Sequence, residues 1–278
     1  MASASSSLSA AAFSQQPRFS ARVEAVRVDV LVTEGGHPVR GLTGSDFEVR
    51  DNGVLQDVAL VSSDRLPLNV VLALDVSDSV RGERLAHLRR ASEALLGGLV
   101  QNDRAALLTF NHVLTLGFPL TTDLAQVRAA LDSMQAGGET ALFDATYTGM
   151  VLAESDAGRS LMVVFTDGAD TASFLPRDVV VETAQGADVV VYGAAVTQRG
   201  RSTFVRNIAD QTGGALLELE SIADLPKAFL RILDEFRQRY VLAYAPRGVA
   251  KAGWHRLEVR VKGRRVSVKA RAGYQSGG

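Results

Sequence analysis

The residues Leu68-Asn69-Val70-Val71-Leu72-Ala73-Leu74-Asp75-Val76-Ser77-Asp78-Ser79 decide the fold. The run from Leu68 to Leu74 is apolar but for Asn69, and it stops abruptly at Asp75. An apolar run of this length, bounded by turn residues, reads as a strand buried on both faces. Such strands belong at the centre of a parallel sheet covered by helices. Asp75 then stands at the strand's carboxyl end, where open α/β sheets bind ligands. As a strand-end group it reads as solvent-exposed. Ser77 and Ser79 follow at spacings of two and four, giving Asp-x-Ser-x-Ser. A carboxylate and two hydroxyls on one tight loop are hard oxygen donors, suited to Mg²⁺, Mn²⁺ or Ca²⁺ rather than zinc.

Two further pieces lie downstream. Gly137-Gly138-Glu139-Thr140 puts a third hydroxyl at the start of a helical pattern. Val163-Val164-Phe165-Thr166-Asp167-Gly168-Ala169-Asp170 is a second apolar strand that ends in a carboxylate. In this order Asp75, Ser77, Ser79, Thr140 and Asp167 resemble the metal-ion-dependent adhesion site (MIDAS) of the von Willebrand factor A family, with a match at all five positions. Asp-x-Ser-x-Ser alone is common in loops; the full set spread through a β-α-β pattern is specific. The competing reading makes Ser77 and Ser79 caps of a helix beginning near Gly82, and Thr140 the cap of the next. Capping does not require carboxylates at the ends of two strands.

The resemblance implies a non-enzymatic, metal-dependent adhesion module. Ser77, Ser79 and Thr140 would hold the ion directly or through water, and Asp75 and Asp167 partly through water. Mg²⁺ is the implied ion, with Mn²⁺ or Ca²⁺ as alternatives, and an exposed Asp or Glu of a partner protein would complete its coordination. Asp78, His112 and Asp170 are near enough in sequence to line the rim and touch that partner. Taken alone, the two carboxylates read as solvated loop groups and His112 as a surface histidine.

Composition narrows the class. The chain has 278 residues, 46% hydrophobic and 22% charged, as in a globular protein with a sizeable core. A formal net charge of −1 is no match for nucleic acid. No apolar stretch is long enough for a transmembrane helix. The absence of cysteine excludes disulfides, thiolate metal sites and cysteine nucleophiles. Residues 1–20, rich in Ser and Ala, read as disordered. They lack the basic and apolar regions of a secretory signal, although Ser9-Ala10-Ala11-Ala12 resembles the small-residue end of one. Extracellular or periplasmic placement is therefore implied by the resemblance alone. A monomer or weak oligomer is expected.

Residues 22–62 read as three or four strands. Val26, Val28, Val30 and Val32 alternate with other residues, and Asn52-Gly53 marks a hairpin. Residues 66–238 alternate strands with helices, which means a doubly wound, mostly parallel sheet. In the first helix, about Glu83 to Val100, the stripe Leu85, Leu88, Ala91, Leu95 and Leu99 faces inward. Arg84, Arg89 and Arg90 are assigned to solvent. Val113–Leu116 reads as an antiparallel edge strand ended by Gly117. After Arg237 period two returns: Tyr240, Leu242 and Tyr244, then Leu257, Val259 and Val261, then Val266, Val268 and Ala270 as a closing hairpin turned at Gly263. Neither terminal strand set buries enough surface to stand alone. The expected architecture is thus one small β-sandwich built from residues 21–65 plus 239–275, with the α/β domain, 66–238, inserted between them. Asp46-Phe47-Glu48-Val49, Tyr240-Val241-Leu242-Ala243-Tyr244 and Arg271-Ala272-Gly273-Tyr274 resemble the opening and closing strands of bacterial von Willebrand factor A-related proteins.

No Walker loop, nucleophile elbow or dinucleotide fingerprint follows a strand, and the four histidines are scattered. A phosphatase of the haloacid-dehalogenase type would need Asp-x-Asp, and Ser77 stands where its general acid belongs. The alternatives to adhesion are a structural domain with a vestigial metal site and, less favoured, a metal-dependent hydrolase. Nine Arg or Lys lie between Arg247 and Arg271 against one acid, Glu258. They read as the solvent face of the closing hairpin, or else as a basic surface for an acidic partner.

Overall fold

The computed structural model describes residues 25–61, 66–154, 158–196 and 203–277. The stretch read as disordered, 1–20, lies outside them. Among the described residues, six strands form one sheet in the order β11-β10-β9-β6-β7-β8. They are β6 (Leu68–Asp75), β7 (Arg104–Phe110), β8 (Leu114–Thr121), β9 (Arg159–Thr166), β10 (Val190–Val196) and β11 (Leu216–Leu219). All pairings are parallel except β7 with β8. Leu72 of β6 faces Leu107 on one side and Val163 on the other.

Every residue of β6 is buried, because its alternate side chains feed two different cores. Leu68, Val70, Leu72 and Leu74 pack with Leu88 and Leu95 of α1 (Glu83–Gly97) and with Phe229, Ile232 and Phe236 of α6 (Leu225–Arg237). Val71 and Ala73 pack on the other face with α3 (Leu142–Ala153), α4 (Arg177–Gly186) and α5 (Thr203–Thr212). Burying one such Leu contributes about 1.5–3 kcal/mol, so this strand anchors both layers. Helix α2 (Leu124–Asp132) buries its own Val127 and Leu131 at the β7–β8 end of the first layer.

Strand β8 does not stop at Gly117. It runs to Thr121 with register shifts beside Leu107, whose side chain would lie 3.1 Å from a Cβ at Gly117. A glycine on an edge strand absorbs such a bulge rather than ending the strand. Helix α1 ends at Gly97, three residues short of the sequence reading. Gly98 caps it and lies close to Leu233 of α6, whose methyl would be 2.7 Å from a Cβ there.

The chain ends build two further sheets. One has the order β14-β1-β12-β5, with β2 also on β1; the other is β15-β13-β3-β4. The strands are β1 (Val26–Glu34), β2 (His37–Pro38), β3 (Phe47–Asp51), β4 (Val54–Gln56), β5 (Ala59–Val61), β12 (Tyr240–Tyr244), β13 (Gly253–Val261), β14 (Ser267–Lys269) and β15 (Gly273–Ser276). Each sheet combines early and late strands: β1 pairs with β12 and β3 with β13, both antiparallel. Their shared core holds Val28, Val30, Phe47, Val49, Leu242, Tyr244 and Leu257. The β3–β4 turn has positive φ at Asn52 (46°) and Gly53 (82°), as a type I′ hairpin demands.

The expected closing hairpin does not form: among the described residues no pairing joins β14 to β13. Strand β13 pairs with β15 over Gly253–Arg256 and with β3 over Leu257–Val261, while β14 crosses to the edge of β1 in the other sheet. The basic residues of that segment are therefore divided between two sheets. Arg256 and Arg260 share the outer face of β13 with Glu258, which lies 3.9 and 3.5 Å from them.

Buried arginines join the β-rich part to the α/β part. Arg159, at the start of β9, gives Nε to Asp29 of β1 at 2.8 Å and Nη2 to the Phe236 carbonyl at 2.9 Å. Arg239 gives Nη2 to the Gly213 carbonyl (2.6 Å) and the Tyr192 hydroxyl (2.8 Å). Asp51 is wholly buried in the sandwich. It meets His255 Nδ1 at 2.7 Å and accepts the hydroxyls of Tyr274 (2.7 Å) and Tyr244 (3.0 Å).

Candidate metal centre

From β6 the sheet grows one way through β7 and β8, and the other way through β9. The carboxyl ends of β6 and β9 therefore flank the point where strand order reverses, which is where open α/β sheets form their crevice. Asp75 ends β6, and Asp167 follows the last residue of β9.

Asp75 is not solvent-exposed, as expected from its position, but fully buried. One of its oxygens accepts the Ser77 N–H at 2.9 Å and the other the Thr166 hydroxyl at 2.8 Å. Burial pushes its carboxyl above the usual carboxylate range; the bonds from Ser77 and Thr166 oppose that rise, and the charge of Asp167 adds to it. Thr166 was not singled out from sequence, although its place beside Asp167 at the strand end was the available signal.

The hydroxyls converge on the second carboxylate. Ser77 Oγ lies 3.1 Å from Ser79 Oγ, and Ser79 Oγ donates to Asp167 Oδ1 at 2.5 Å. The Thr140 hydroxyl faces the same loop, 3.6 Å from where a Cβ on Gly168 would stand. The Thr140 backbone is fixed from both sides: its N–H donates to Thr171 Oγ1 (3.0 Å) and its carbonyl accepts the N–H groups of Thr171 and Ala172. None of the three hydroxyls caps a helix. The N-caps of α1 and α3 are Gly82 and Ala141, both without a side-chain bond, and Ser77 makes no cap bond to the short 3₁₀ turn Asp78–Val80. The capping alternative is therefore set aside.

Asp78 and Asp170 are hydrogen-bonded into these loops, Asp78 while still exposed, and His112 is an exposed loop residue. Asp78 accepts the Gly138 N–H at 2.9 Å and pairs with Arg81 at 2.6 Å. Asp170 accepts the Phe143 N–H (3.2 Å) and the Ser173 hydroxyl (2.5 Å) at the start of α3. His112 lies over Gly138, whose φ is +82°; a Cβ there would come 2.1 Å from His112 Nδ1. The neighbouring Asn111 holds the Gly137 carbonyl at 2.6 Å. Two of the arginines assigned to solvent are also engaged. Arg84 Nη1 pairs with Asp167 Oδ2 at 2.6 Å, and Arg89 donates to the carbonyls of Leu131 and Met134.

The donor set is two carboxylates and three hydroxyls, all hard oxygens, which fits an oxygen-seeking divalent cation. Among the described residues no group of three or more His, Cys, Asp or Glu is arranged to hold a metal, so any cation site here relies on the hydroxyls. No helix among them is long and apolar enough to cross a membrane.

The model of the von Willebrand factor type A domain matches residues 69–230. An uncharacterized protein of Borreliella burgdorferi is 28% identical over 137 residues, covering 46% of this chain; the chain spans 40% of that relative's length. A von Willebrand factor type A structure from Catenulispora acidiphila aligns with a TM-score of 0.56 at 13% identity, over 88% of this chain and 75% of that one. Proximal thread matrix protein 1 of the mussel byssus, with a zinc-occupied MIDAS motif, aligns with a TM-score of 0.53 at 14% identity, over 66% of this chain and 49% of that one. At such identities the structural likeness speaks for the fold.

Proposed function

The chain belongs to the von Willebrand factor type A domain family, and on that premise we propose that it is a divalent-cation-dependent protein-binding module whose ion is held by Asp75, Ser77, Ser79, Thr140 and Asp167. Domains of this family are typically binding modules rather than enzymes. One observation carries the reading. Three loops bring two carboxylates and three hydroxyls to the switch point of the sheet, and none of the hydroxyls is spent on a helix cap. The mussel protein's motif takes zinc; the oxygen-only set here favours Mg²⁺, with Mn²⁺ or Ca²⁺ as substitutes.

Neutral hydroxyls leave positive charge on a bound ion, and a carboxylate from outside is its natural complement. The partner is accordingly a protein with an exposed Asp or Glu. Asp78 and Asp170 fix the loops around Gly138 and Phe143 and, with the exposed His112, line the rim that meets the partner. Residues 66–238 carry the site. Residues 21–65 and 239–275 form the sandwich that presents it, on a protein exported to the periplasm or cell exterior. The test is calorimetric titration of Mg²⁺ and Mn²⁺, together with capture of envelope proteins with and without EDTA, each repeated with Thr140→Ala. Cation binding and EDTA-sensitive capture, both lost in the variant, are expected. Full capture in EDTA and by the variant would remove the metal from the adhesive role.

A further inference from the structure

We propose that Arg84 competes with the divalent cation for Asp167, so that the ion enters by exchange with a guanidinium tethered on α1. The inference rests on the metal-site reading above. The first observation is the occupancy of Asp167. Its side chain is 2% exposed, and each of its oxygens has a donor from this chain: Oδ1 takes the Ser79 hydroxyl at 2.5 Å and Oδ2 takes Arg84 Nη1 at 2.6 Å. A cation approaching Asp167 and Ser79 meets a carboxylate that is already paired.

The second observation is where Arg84 stands. It lies in the first turn of α1, and Gly82 at the N-cap offers no side-chain bond. That end of a helix carries partial positive charge and favours acids such as the adjacent Glu83. A cation placed there works against the helix dipole, and the Asp167 carboxylate is what compensates it. This misplacement is also the sequence signal that marks Arg84 out from Arg89 and Arg90.

Charge then sets the direction. Asp75 and Asp167 bring two negative charges to one site, and Arg84 offsets one of them. A divalent ion offsets both and repels the guanidinium. Arg84 is 48% exposed on a long stem, so it can leave for solvent without disturbing the core. A guanidinium stays charged at any pH the fold survives, so the competition is not a protonation effect.

The experiment is calorimetric titration of the full chain with MgCl₂ and MnCl₂ in wild type, Arg84→Gln, Arg84→Lys and, as a charge-matched control, Arg90→Gln. Arg90 is exposed on the same helix. Arg84→Gln should tighten the cation Kd by roughly 3- to 10-fold, the range for losing one half-exposed, charge-assisted contact. Arg84→Lys should fall between, because it keeps the charge and loses the planar fork. Arg90→Gln should match wild type. If wild type binds the ion and Arg84→Gln binds it equally or more weakly, the competition is refuted while the metal site stands. An equal gain in Arg90→Gln would reduce the effect to net charge and refute it too. If no chain binds either ion, the metal-site reading falls and this inference with it.

Discussion

Replacing Asp75 by Asn separates the charge of that side chain from its shape. The carboxylate is fully buried, with the Ser77 N–H at 2.9 Å on one oxygen and the Thr166 hydroxyl at 2.8 Å on the other. Asparagine keeps an oxygen for Ser77. Its amide can donate to Thr166 Oγ1, whose own proton can turn to the Gly168 carbonyl, already 3.3 Å away. The exchange therefore leaves no buried polar group orphaned, whereas Asp75→Ala would strand two donors at about 1–3 kcal/mol each. What Asn removes is a buried charge that burial and Asp167 both disfavour. Relief of such a charge is worth about 1–3 kcal/mol, and a domain of this size shifts its Tm by about 2–4 °C per kcal/mol. In EDTA, Asp75→Asn should melt as high as wild type or up to about 10 °C higher. In Mg²⁺ the order should reverse: a ligand at a hundred times its Kd stabilises by about 2.7 kcal/mol, and only wild type should gain it. The assay is thermal unfolding by circular dichroism across a Mg²⁺ series. A variant clearly less stable than wild type in EDTA would refute the reasoning, because the charge would then be structural. So would an undiminished Mg²⁺ gain.

Two further outcomes concern the parts outside the metal centre. Asp29→Ala removes the carboxylate that pairs with Arg159, whose side chain is 3% exposed and keeps the Phe236 carbonyl at 2.9 Å; the expected loss is about 3 kcal/mol by urea unfolding, and a loss below about 0.5 kcal/mol would show that the pair is not a buried tie. Burial pushes the phenols of Tyr244 and Tyr274 far above their ordinary value, with Asp51 adding to the rise. Their contribution is complete below the unfolded tyrosine pKa of about 10 and is lost as pH climbs beyond it. Stability should begin to fall near about pH 10 and keep falling as the pH rises above it. Tyr244→Phe should cost about 1–3 kcal/mol at neutral pH and flatten that alkaline slope. Parallel pH curves for variant and wild type would count against it.

The sequence by itself determined the α/β core and the identity of the candidate ligands. Both are local signals. A strand whose residues from Val70 to Leu74 are all apolar admits few environments, and strand-end carboxylates followed by hydroxyls are read directly along the chain. The family likeness rests on the same residues. Tertiary structure decided which polar groups are buried and what they face. Asp75 looked exposed because strand ends often are; it is buried because Thr166 comes to it from the neighbouring strand. Arg84 and Arg89 lie off the apolar stripe of α1, yet each meets an acceptor contributed by a distant segment, Asp167 for one and the end of α2 for the other. Strand β14 has the right period for a hairpin with β13, but it pairs with β1 of the other sheet instead. Periodicity reports which face of an element is apolar. It carries no information on which distant element offers an open edge or a counter-charge, because those depend on pairings between residues as much as two hundred positions apart and more, such as Asp51 with His255.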